Sequence, residues 1–237
     1  MTETPLAVVT GASRGLGAAL AVELARRGHD LVLVARSAAG LEQVAAHVRA
    51  AGREATAVPC DLGDAARVTA LHQLGDASVV ILNAAVLGPL LPVPELAPAD
   101  WRAVLDTNVG AVAGCLSVAL PAMVGRGSGL VVVISSSAAE LARPGMAAYC
   151  ASKAAVEALV QVAATETAGS GVRVVAVRPG AIDTAMQGEL RVGNTALARA
   201  ARSAAAAGLL HAADEVARRL LGAVLGSQTG PLIDLGP

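Results

Sequence analysis

Short apolar runs alternate with helical patterns along the whole chain. We predict a β-strand at each run: 6–10, 31–35, 55–58, 79–82, 130–134, 172–177 and 231–235. The stretches between them predict helices at 15–27, 38–51, 64–74, 99–125, 150–168 and 213–225. Because the strand segments lack strict polar alternation, they indicate a doubly wound parallel sheet with helices on both faces, an α/β architecture. Such a sheet holds its ligand at the carboxyl edge of the strands.

A glycine-rich turn follows the first predicted strand. It reads Gly11-Ala12-Ser13-Arg14-Gly15-Leu16-Gly17 and opens an alanine-rich helix. Glycines there allow a tight turn and a close approach to a pyrophosphate, and the helix N-terminus offers free N–H groups and a positive dipole end. The spacing is Gly-x-x-x-Gly-x-Gly rather than Gly-x-Gly-x-x-Gly, so the motif alone is a weak signal. Its position between a strand and a helix predicts a dinucleotide site.

The only tyrosine of the chain, Tyr149, lies four residues before Lys153. On a helix these two positions share a face. With 1% aromatic residues and no Phe, the chain does not use Tyr as core filler. We expect the ammonium of Lys153 to lower the pKa of the phenol from about 10, so that Tyr149 can give and take a proton. The alternative is a chance pairing of an exposed Tyr with an exposed Lys.

Composition limits the class of partner. The 237 residues suffice for one large α/β domain, and 54% of them are hydrophobic. A net charge of −1 gives no indication of a nucleic-acid or anionic-membrane partner. The cysteines Cys60, Cys115 and Cys150 lack metal-ligand spacing, so we expect no metal and a reducing compartment. The first residues lack the basic region of a secretory signal, which favours a cytoplasmic protein.

Residues 107–125 carry no charge and approach the length of a membrane-spanning helix. The stretch nevertheless contains Asn108 and Pro121, and the predicted helix begins earlier, near Asp100. A helix buried against the sheet or a second subunit explains the pattern better, so we expect no membrane contact.

Three further segments carry recognisable chemistry. Asp61-Leu62 follows the third predicted strand, Leu82-Asn83-Ala84-Ala85 follows the fourth, and Arg178-Pro179-Gly180 with Thr184 follows the sixth. Together with the glycine turn and the Tyr149–Lys153 pair, they resemble the classical short-chain dehydrogenase/reductase (SDR) family over nearly the whole chain.

The resemblance implies one NAD(P)-binding Rossmann domain over residues 1–237 with a substrate loop at about 185–210. It implies a catalytic tetrad of Asn108, Ser136, Tyr149 and Lys153. The implied cofactor-binding residues are Gly11, Ser13, Arg14, Gly15, Leu16, Gly17, Arg36, Asp61, Leu62, Asn83, Ala84, Ala85, Tyr149, Lys153, Pro179, Gly180, Ile182 and Thr184.

The chain departs from the family pattern at Leu82 and Ala85, and its catalytic serine is ambiguous. Ala85 stands where the family has Gly, and its methyl group falls where the backbone runs close to the cofactor. Three consecutive serines leave the catalytic one open: Ser136 has the family's separation of 13 from Tyr149 (149 − 136), whereas Ser135 and Ser137 would point away on a continuing strand. Both remain alternatives if the strand bends.

Charge at the second strand indicates the type of cofactor. An NAD site usually places an acid about 20 residues after the glycines, on the ribose hydroxyls. Here the strand ends in Arg36, and Arg14 lies inside the glycine turn. Two arginines would hold a 2′-phosphate through charge-assisted hydrogen bonds, so NADP(H) is predicted over NAD(H). The alternative is that both are solvated surface charges.

The resemblance also implies roles. Tyr149 would exchange a proton with the carbonyl or alcohol oxygen, Ser136 would hydrogen-bond that oxygen, and Lys153 would bind the nicotinamide ribose. Asn108 would anchor a water that links Lys153 to solvent, or bond to backbone, or do both.

The substrate is the least determined feature. The predicted pocket walls are mostly aliphatic, which favours an apolar ketone or dicarbonyl, or the matching secondary alcohol. The short stretch between Asp61 and Asn83 and the C-terminal run Gly230-Pro231-Leu232-Ile233-Asp234 resemble the sepiapterin reductase and benzil reductase branch. Reduction of a 3-oxoacyl thioester, oxidation of a secondary alcohol and a non-catalytic NADP-binding sensor remain alternatives.

The resemblance further implies a homodimer or homotetramer built on the helices near 99–125 and 150–168. The second helix has a face of small residues at Ala154, Ala155, Ala158 and Val162. A helix that faces the core would look much the same.

Overall fold

The computed structural model describes residues 4–193, 195–226 and 230–236. Within these ranges, seven strands form one sheet in the order β3-β2-β1-β4-β5-β6-β7, and each neighbouring pair is parallel. The strands are β1 Leu6–Thr10, β2 Asp30–Ala35, β3 Ala55–Pro59, β4 Val79–Leu82, β5 Gly129–Ile134, β6 Val172–Arg178 and β7 Leu232–Asp234. The strand order reverses beside β1, which opens a crevice at the carboxyl edge.

Helices cover both faces of the sheet, as predicted. They are α1 Gly15–Arg26, α2 Ala38–Ala50, α3 Ala65–Thr69, α4 Gln73–Asp76, α5 Pro98–Leu105, α6 Ala111–Arg126, α7 Ala147–Glu166, α8 Ala185–Leu190, α9 Ala196–Ala206 and α10 Ala213–Leu225. One core contains Val9 with α1, α2 and α10, and the other contains Val8 with α3, α4, α6 and α7. Because adjacent residues of a strand enter opposite cores, the strands have no polar face.

The prediction of one helix over 64–74 is wrong. Asp64 caps α3 by accepting hydrogen bonds from the backbone N–H groups of Ala66 and Arg67, and α3 ends at Thr69 before α4 restarts. Val68, Leu71 and Leu74 are all buried in the same core. The bend between the two short helices lets all three side chains face the sheet.

The long helix predicted over 99–125 is interrupted by a π-helical segment, Asp106–Gly110, which joins α5 to α6. The whole run Pro98–Arg126 is long and apolar enough to cross a bilayer by length and composition, with 39% of its most apolar window buried. Its buried side chains, including Val112, Leu116 and Met123, pack in the core with β4 and β5. This packing accounts for the buried part of the apolar pattern.

The predicted substrate loop at 185–210 contains two helices, α8 and α9. Asn194 of this segment lies outside the described residues. Thr195 caps α9 by accepting a hydrogen bond from the N–H of Ala198 at 3.1 Å. The two helices lie over the carboxyl edge of the sheet and line the cavity found there.

Candidate active site

A cavity of about 1660 Å³ lies at the carboxyl edge of the sheet. The ends of β1, β2, β4, β5 and β6 reach it from below, and α8 and α9 border it. All the predicted site residues except Gly17 and Asn108 line this cavity. The fold therefore brings the predicted cofactor and catalytic residues into one space.

The glycine turn is packed tightly against the chain after β4. Gly11 has φ +65°, and a Cβ added there would lie 2.7 Å from Nδ2 of Asn83. A Cβ at Gly17 would lie 2.3 Å from the carbonyl oxygen of Gly11. Asn83 Nδ2 donates to the carbonyl oxygens of Thr10 at 3.0 Å and Gly11 at 3.3 Å. Gly17 thus lies outside the cavity lining, and its missing side chain lets the turn pack closely against α1.

The first helix leaves its N-terminal N–H groups uncapped. No side chain caps α1 at Arg14, whereas Ser37 caps α2 by accepting from the N–H of Gly40 at 3.1 Å. Uncapped N–H groups beside an open cavity suit an anion such as a pyrophosphate. The residues around the turn therefore fit the cofactor that the sequence implies.

Tyr149 and Lys153 meet at the floor of the cavity. Nζ of Lys153 donates to the carbonyl oxygen of Ile134 at 2.7 Å and lies 5.5 Å from the centroid of the Tyr149 ring. Burial raises the pKa of Tyr149 to about 12, against smaller lowering effects of its hydrogen bond with Ser136 and of the Arg143 cation. The pKa of the phenol lies above its ordinary value, contrary to the prediction that it is lowered, because desolvation outweighs the lowering effects around it.

Lys153 is itself perturbed. Its side chain is buried, and burial lowers its pKa to about 8 while the Glu157 carboxylate acts in the opposite direction. The ammonium and the neutral amine are therefore close in free energy near neutral pH.

The three serines lie beyond the end of β5 at Ile134, and Ser137 opens a short 3-10 helix, so strand alternation does not place their side chains. Ser136 hydrogen-bonds the phenol of Tyr149 and accepts from the N–H of Ala138 at 3.2 Å. Ser135 is buried and donates to Oε1 of Glu157 at 2.6 Å, while the exposed Ser137 accepts from Arg143 at 3.3 Å. The structure thus places Ser136 beside Tyr149 and directs the Ser135 hydroxyl away.

Asn108 lies in the π-helical segment, 1% exposed and outside the cavity lining. Its Nδ2 donates to the carbonyl oxygen of Val86 at 2.9 Å and to Oγ of Ser152 at 3.0 Å, and its Oδ1 accepts from the N–H of Val86 at 2.8 Å. Ser152 in turn donates to the carbonyl oxygen of Tyr149 at 2.7 Å. The side chain fits the backbone-bonding alternative and links the chain after β4 to α7.

Two buried charged residues near the site, Glu157 and Arg178, received no role in the sequence analysis. Arg178 Nε donates to Oε1 of Glu157 at 2.8 Å, and its Nη2 donates to Oε2 at 2.6 Å. Burial opposes the charge of Glu157, but its hydrogen bonds from Arg178 and Ser135 outweigh burial and lower the pKa of that carboxyl. The available signals were the spacing of Glu157 four residues after Lys153 and the place of Arg178 before Pro179-Gly180.

The two predicted phosphate-binding arginines line the same cavity, and both are exposed. Arg14 Nη2 lies 3.8 Å from Oε1 of Glu189 on α8, and both side chains are more than half exposed. A pair this exposed contributes little and leaves Arg14 free to exchange partners. Asp61, also in the lining, accepts from the N–H of Gly63 at 3.0 Å.

Apolar side chains form the wall on the side of Tyr149. Leu87, Met146 and Tyr149 pack together there, with Met186 and Leu197 from α8 and α9 against them. Among the described residues, no group of three or more His, Cys, Asp or Glu is placed to hold a metal ion.

A parallel sheet of this order, an uncapped glycine turn at its carboxyl edge and a buried Tyr–Lys pair define a class of protein, the oxidoreductases of the dinucleotide-binding fold. Within that class the chain matches the short chain dehydrogenase family over residues 5–195. It belongs to that family, and it is accordingly a dehydrogenase/reductase enzyme.

Relatives with known names agree with this assignment. The chain is 40% identical over 184 residues to cis-4-hydroxycyclohexanecarboxylate dehydrogenase of Sinomonas cyclohexanicum, covering 76% of this chain and 74% of that protein. It is 35% identical over 188 residues to the 3-oxoacyl-(acyl-carrier-protein) reductase of Staphylococcus aureus, covering 77% and 76%. It also matches the glycine betaine reductase of Emericella nidulans at 37% identity, but spans only 15% of that longer protein.

A solved structure extends the similarity to the whole fold. A metagenomic short-chain oxidoreductase in complex with NADP superposes with a TM-score of 0.81 at 30% identity, covering 98% of this chain and 97% of that one.

Proposed function

We propose that this chain is an NADP(H)-dependent oxidoreductase that reduces a ketone or dicarbonyl, or oxidises the matching secondary alcohol. The observation that carries the proposal is the meeting of Ser136, Tyr149 and Lys153 in the cavity that also contains the glycine turn. We further propose one cofactor-binding domain over residues 1–237, with the segment 185–210 as its substrate-binding part. A cytoplasmic homodimer or homotetramer without a nucleic-acid or membrane partner fits the composition.

The cofactor preference follows from charge and from the helix N-terminus. The uncapped end of α1 and the glycine turn would hold the pyrophosphate, and Arg14 and Arg36 would hold the 2′-phosphate. Thr184 lies close to the glycine turn, since a Cβ added at Gly15 would be 3.3 Å from its Cγ2. Pro179 and Gly180 line the same cavity. When bound, the cofactor supplies or accepts the hydride.

The catalytic roles follow from the geometry around Tyr149. A phenol with a pKa near 12 keeps its proton at neutral pH and can donate it to a carbonyl oxygen during reduction. Ser136, already hydrogen-bonded to that phenol, would share the same substrate oxygen and stabilise the charge that develops there. The buried ammonium of Lys153 would stabilise the phenolate after transfer, within reach of the ring at 5.5 Å. In the reverse direction the phenol must first lose its proton, so alcohol oxidation should rise with pH.

The substrate class follows from the wall beside Tyr149. Leu87, Met146, Met186 and Leu197 offer apolar surface, which suits a hydrophobic carbonyl compound. Two other candidate substrates come from the names of the relatives. They are the secondary alcohol of the Sinomonas enzyme and the 3-oxoacyl thioester of the Staphylococcus enzyme. The sepiapterin and benzil reductase branch stays a prediction.

The test is NADPH consumption by the purified protein against a carbonyl panel. The panel contains an aromatic 1,2-diketone, an aliphatic diketone, a 3-oxoacyl thioester, 4-oxocyclohexanecarboxylate and a simple aldehyde. Turnover of one class, reduced about 100-fold or more in Tyr149→Phe with NADPH affinity unchanged, is the expected result. A Tyr149→Phe variant that keeps most of its turnover would remove Tyr149 from the mechanism. NADPH binding without turnover on any compound would favour the sensor alternative.

A further inference from the structure

The ion pair between Glu157 and Arg178 is more deeply buried than any other within the described ranges, with 8% and 5% of the two residues exposed. The guanidinium grips both carboxylate oxygens at 2.8 and 2.6 Å. A buried charge that loses its partner destabilises a protein strongly, whereas the intact pair adds little compared with apolar side chains of the same shape. Stability alone therefore gives a weak reason for placing this pair at the floor of the cavity.

The pair joins the elements that carry the catalytic side chains. Glu157 lies one turn after Lys153 on α7, and its Oε1 also accepts from Ser135, the neighbour of Ser136 at the end of β5. Arg178 ends β6 directly before Pro179.

Two more carboxylates extend the connection through Arg178. Its Nη2 lies 2.7 Å from Oε1 of Glu140, and its Nη1 lies 3.7 Å from Oδ2 of Asp234 on β7. Three strand ends and α7 thus converge on two side chains, Glu157 and Arg178.

We propose that Glu157 keeps Lys153 charged, and that Glu157 and Arg178 together are positioning residues that hold Ser136 in register with Tyr149. The inference rests on the proposed function for its catalytic consequence. The effect of Glu157 on the charge of Lys153 can be measured without a substrate.

The surroundings of Lys153 give the direction of the effect. On its own helix it faces Tyr149 and the Glu157 carboxylate. β5 offers the Ile134 carbonyl oxygen and the Ser135 hydroxyl, and β6 offers the Arg178 cation. The π-helical segment contributes the neutral Asn108. The exposed carboxylates of Glu140 and Asp234 contact Arg178, and Arg143 lines the cavity.

Burial lowers the pKa of Lys153 to about 8, and Glu157 is the charge that opposes this fall. Removal of the Glu157 charge should therefore let Lys153 release its proton at a lower pH. Removal of Arg178 takes away a neighbouring cation, but it also takes away hydrogen bonds that hold the pKa of Glu157 down. The Lys153 titration should therefore move less than in a variant without the Glu157 carboxyl group.

The sequence makes the measurement direct, because Lys153 is the only lysine of the chain. Protein labelled with [13Cε]lysine gives one side-chain resonance, whose titration reports Lys153 without assignment. We expect a midpoint near 8 in the unaltered protein. In Glu157→Gln it should fall by about one pH unit, which corresponds to roughly tenfold weaker proton binding. In Arg178→Gln the midpoint should fall by clearly less than in Glu157→Gln, or stay unchanged.

Asp30→Asn is a matched control. Asp30 pairs with Arg53 at 2.8 Å and begins β2, at the edge of the sheet opposite the carboxyl edge where Lys153 lies. Its loss should leave the Lys153 midpoint unchanged. A Glu157→Gln midpoint equal to that of the unaltered protein, or equal downward shifts in Glu157→Gln and Arg178→Gln, would overturn the proposal.

If Glu157→Gln or Arg178→Gln fails to fold, the double variant Glu157→Met/Arg178→Met takes its place. It removes both charges and fills a similar volume with apolar side chains. We expect this double variant to fold and to show the lowered Lys153 midpoint of Glu157→Gln. An unchanged midpoint together with unchanged turnover would make the pair purely structural and overturn the proposal.

Kinetics supply the second readout. In Glu157→Gln, kcat should recover towards the unaltered value at pH 6, where Lys153 is charged again, and fall by about fivefold at pH 8. A loss of kcat that is equal at both pH values would contradict the electrostatic role. If no substrate is turned over but the Lys153 midpoints move as expected, the pair stands and the proposed function fails.

Discussion

At the scale of single residues, burial changes the chemistry that spacing suggests. Tyr149 and Lys153 lie where the sequence places them, four residues apart on α7. Desolvation nevertheless raises the pKa of the phenol to about 12 and lowers the pKa of the amine to about 8. The pair therefore favours a protonated phenol near neutral pH, which suits reduction more than oxidation.

Arg36 provides a residue-scale test of the cofactor. If Arg36 holds the 2′-phosphate, NADPH should bind at least about tenfold more tightly than NADH, a difference of roughly 1.4 kcal/mol. Arg36→Ala should remove about that factor for NADPH and leave NADH unchanged, as titration calorimetry would show. Arg26→Ala, an exposed arginine at the end of α1, is the control. Equal affinity for both cofactors in the unaltered protein would contradict the assignment.

At the scale of elements, the strand–turn–helix unit depends on backbone contacts that leave no room for side chains. Gly17 belongs to α1, yet the carbonyl oxygen of Gly11 lies where its Cβ would be. The contact seats the N-terminus of α1 against the turn and the chain after β4. The close approach explains this glycine by packing within the fold, in addition to any contact with a ligand.

Gly17→Ala should accordingly lower the free energy of unfolding by about 1–3 kcal/mol, because the new methyl group would be 2.3 Å from a backbone oxygen. Urea denaturation measures the change, and NADPH affinity should fall with it. Gly125→Ala in α6 is the matched control, since a Cβ there meets no atom within 4 Å. That substitution should be neutral or stabilise by up to about 1 kcal/mol. Equal effects of the two substitutions would remove the packing argument.

At the scale of the whole molecule, α7 has one face that is buried beside the cavity and one face that is exposed. Tyr149, Lys153 and Glu157 point inward, while Ala154, Ala158 and Val162 stay exposed on the opposite side. Small residues at intervals of four let a second helix approach closely. Three of the four residues of the predicted small-residue face are thus exposed, whereas Ala155 is half-buried, and self-association stays a prediction.

Ala158→Arg should therefore convert a dimer or tetramer into smaller species, because a long charged side chain would separate the two helices. Sedimentation velocity at micromolar concentration measures the change. Val93→Arg, at an exposed valine away from α7, should leave the assembly intact. An unaltered protein that sediments as a monomer would rule out this interface.

The sequence by itself determined the seven strands, the helices on both faces, the place of the glycine turn and the Tyr149–Lys153 spacing. These features are local: strand and helix periodicities, turn glycines and an i, i+4 pair are written in neighbouring residues. The break between α3 and α4 was missed, because it depends on how Val68, Leu71 and Leu74 meet the sheet.

Only the tertiary structure decided which serine faces Tyr149, that Asn108 bonds to Val86, and that Glu157 and Arg178 meet beneath Lys153. Each of these facts joins residues more than ten positions apart in the chain. Burial set the direction of the Tyr149 pKa, and burial belongs to the assembled sheet and helices. Residue spacing locates the candidate groups, but the dielectric environment and the long-range partners that tune them exist only once the chain has folded.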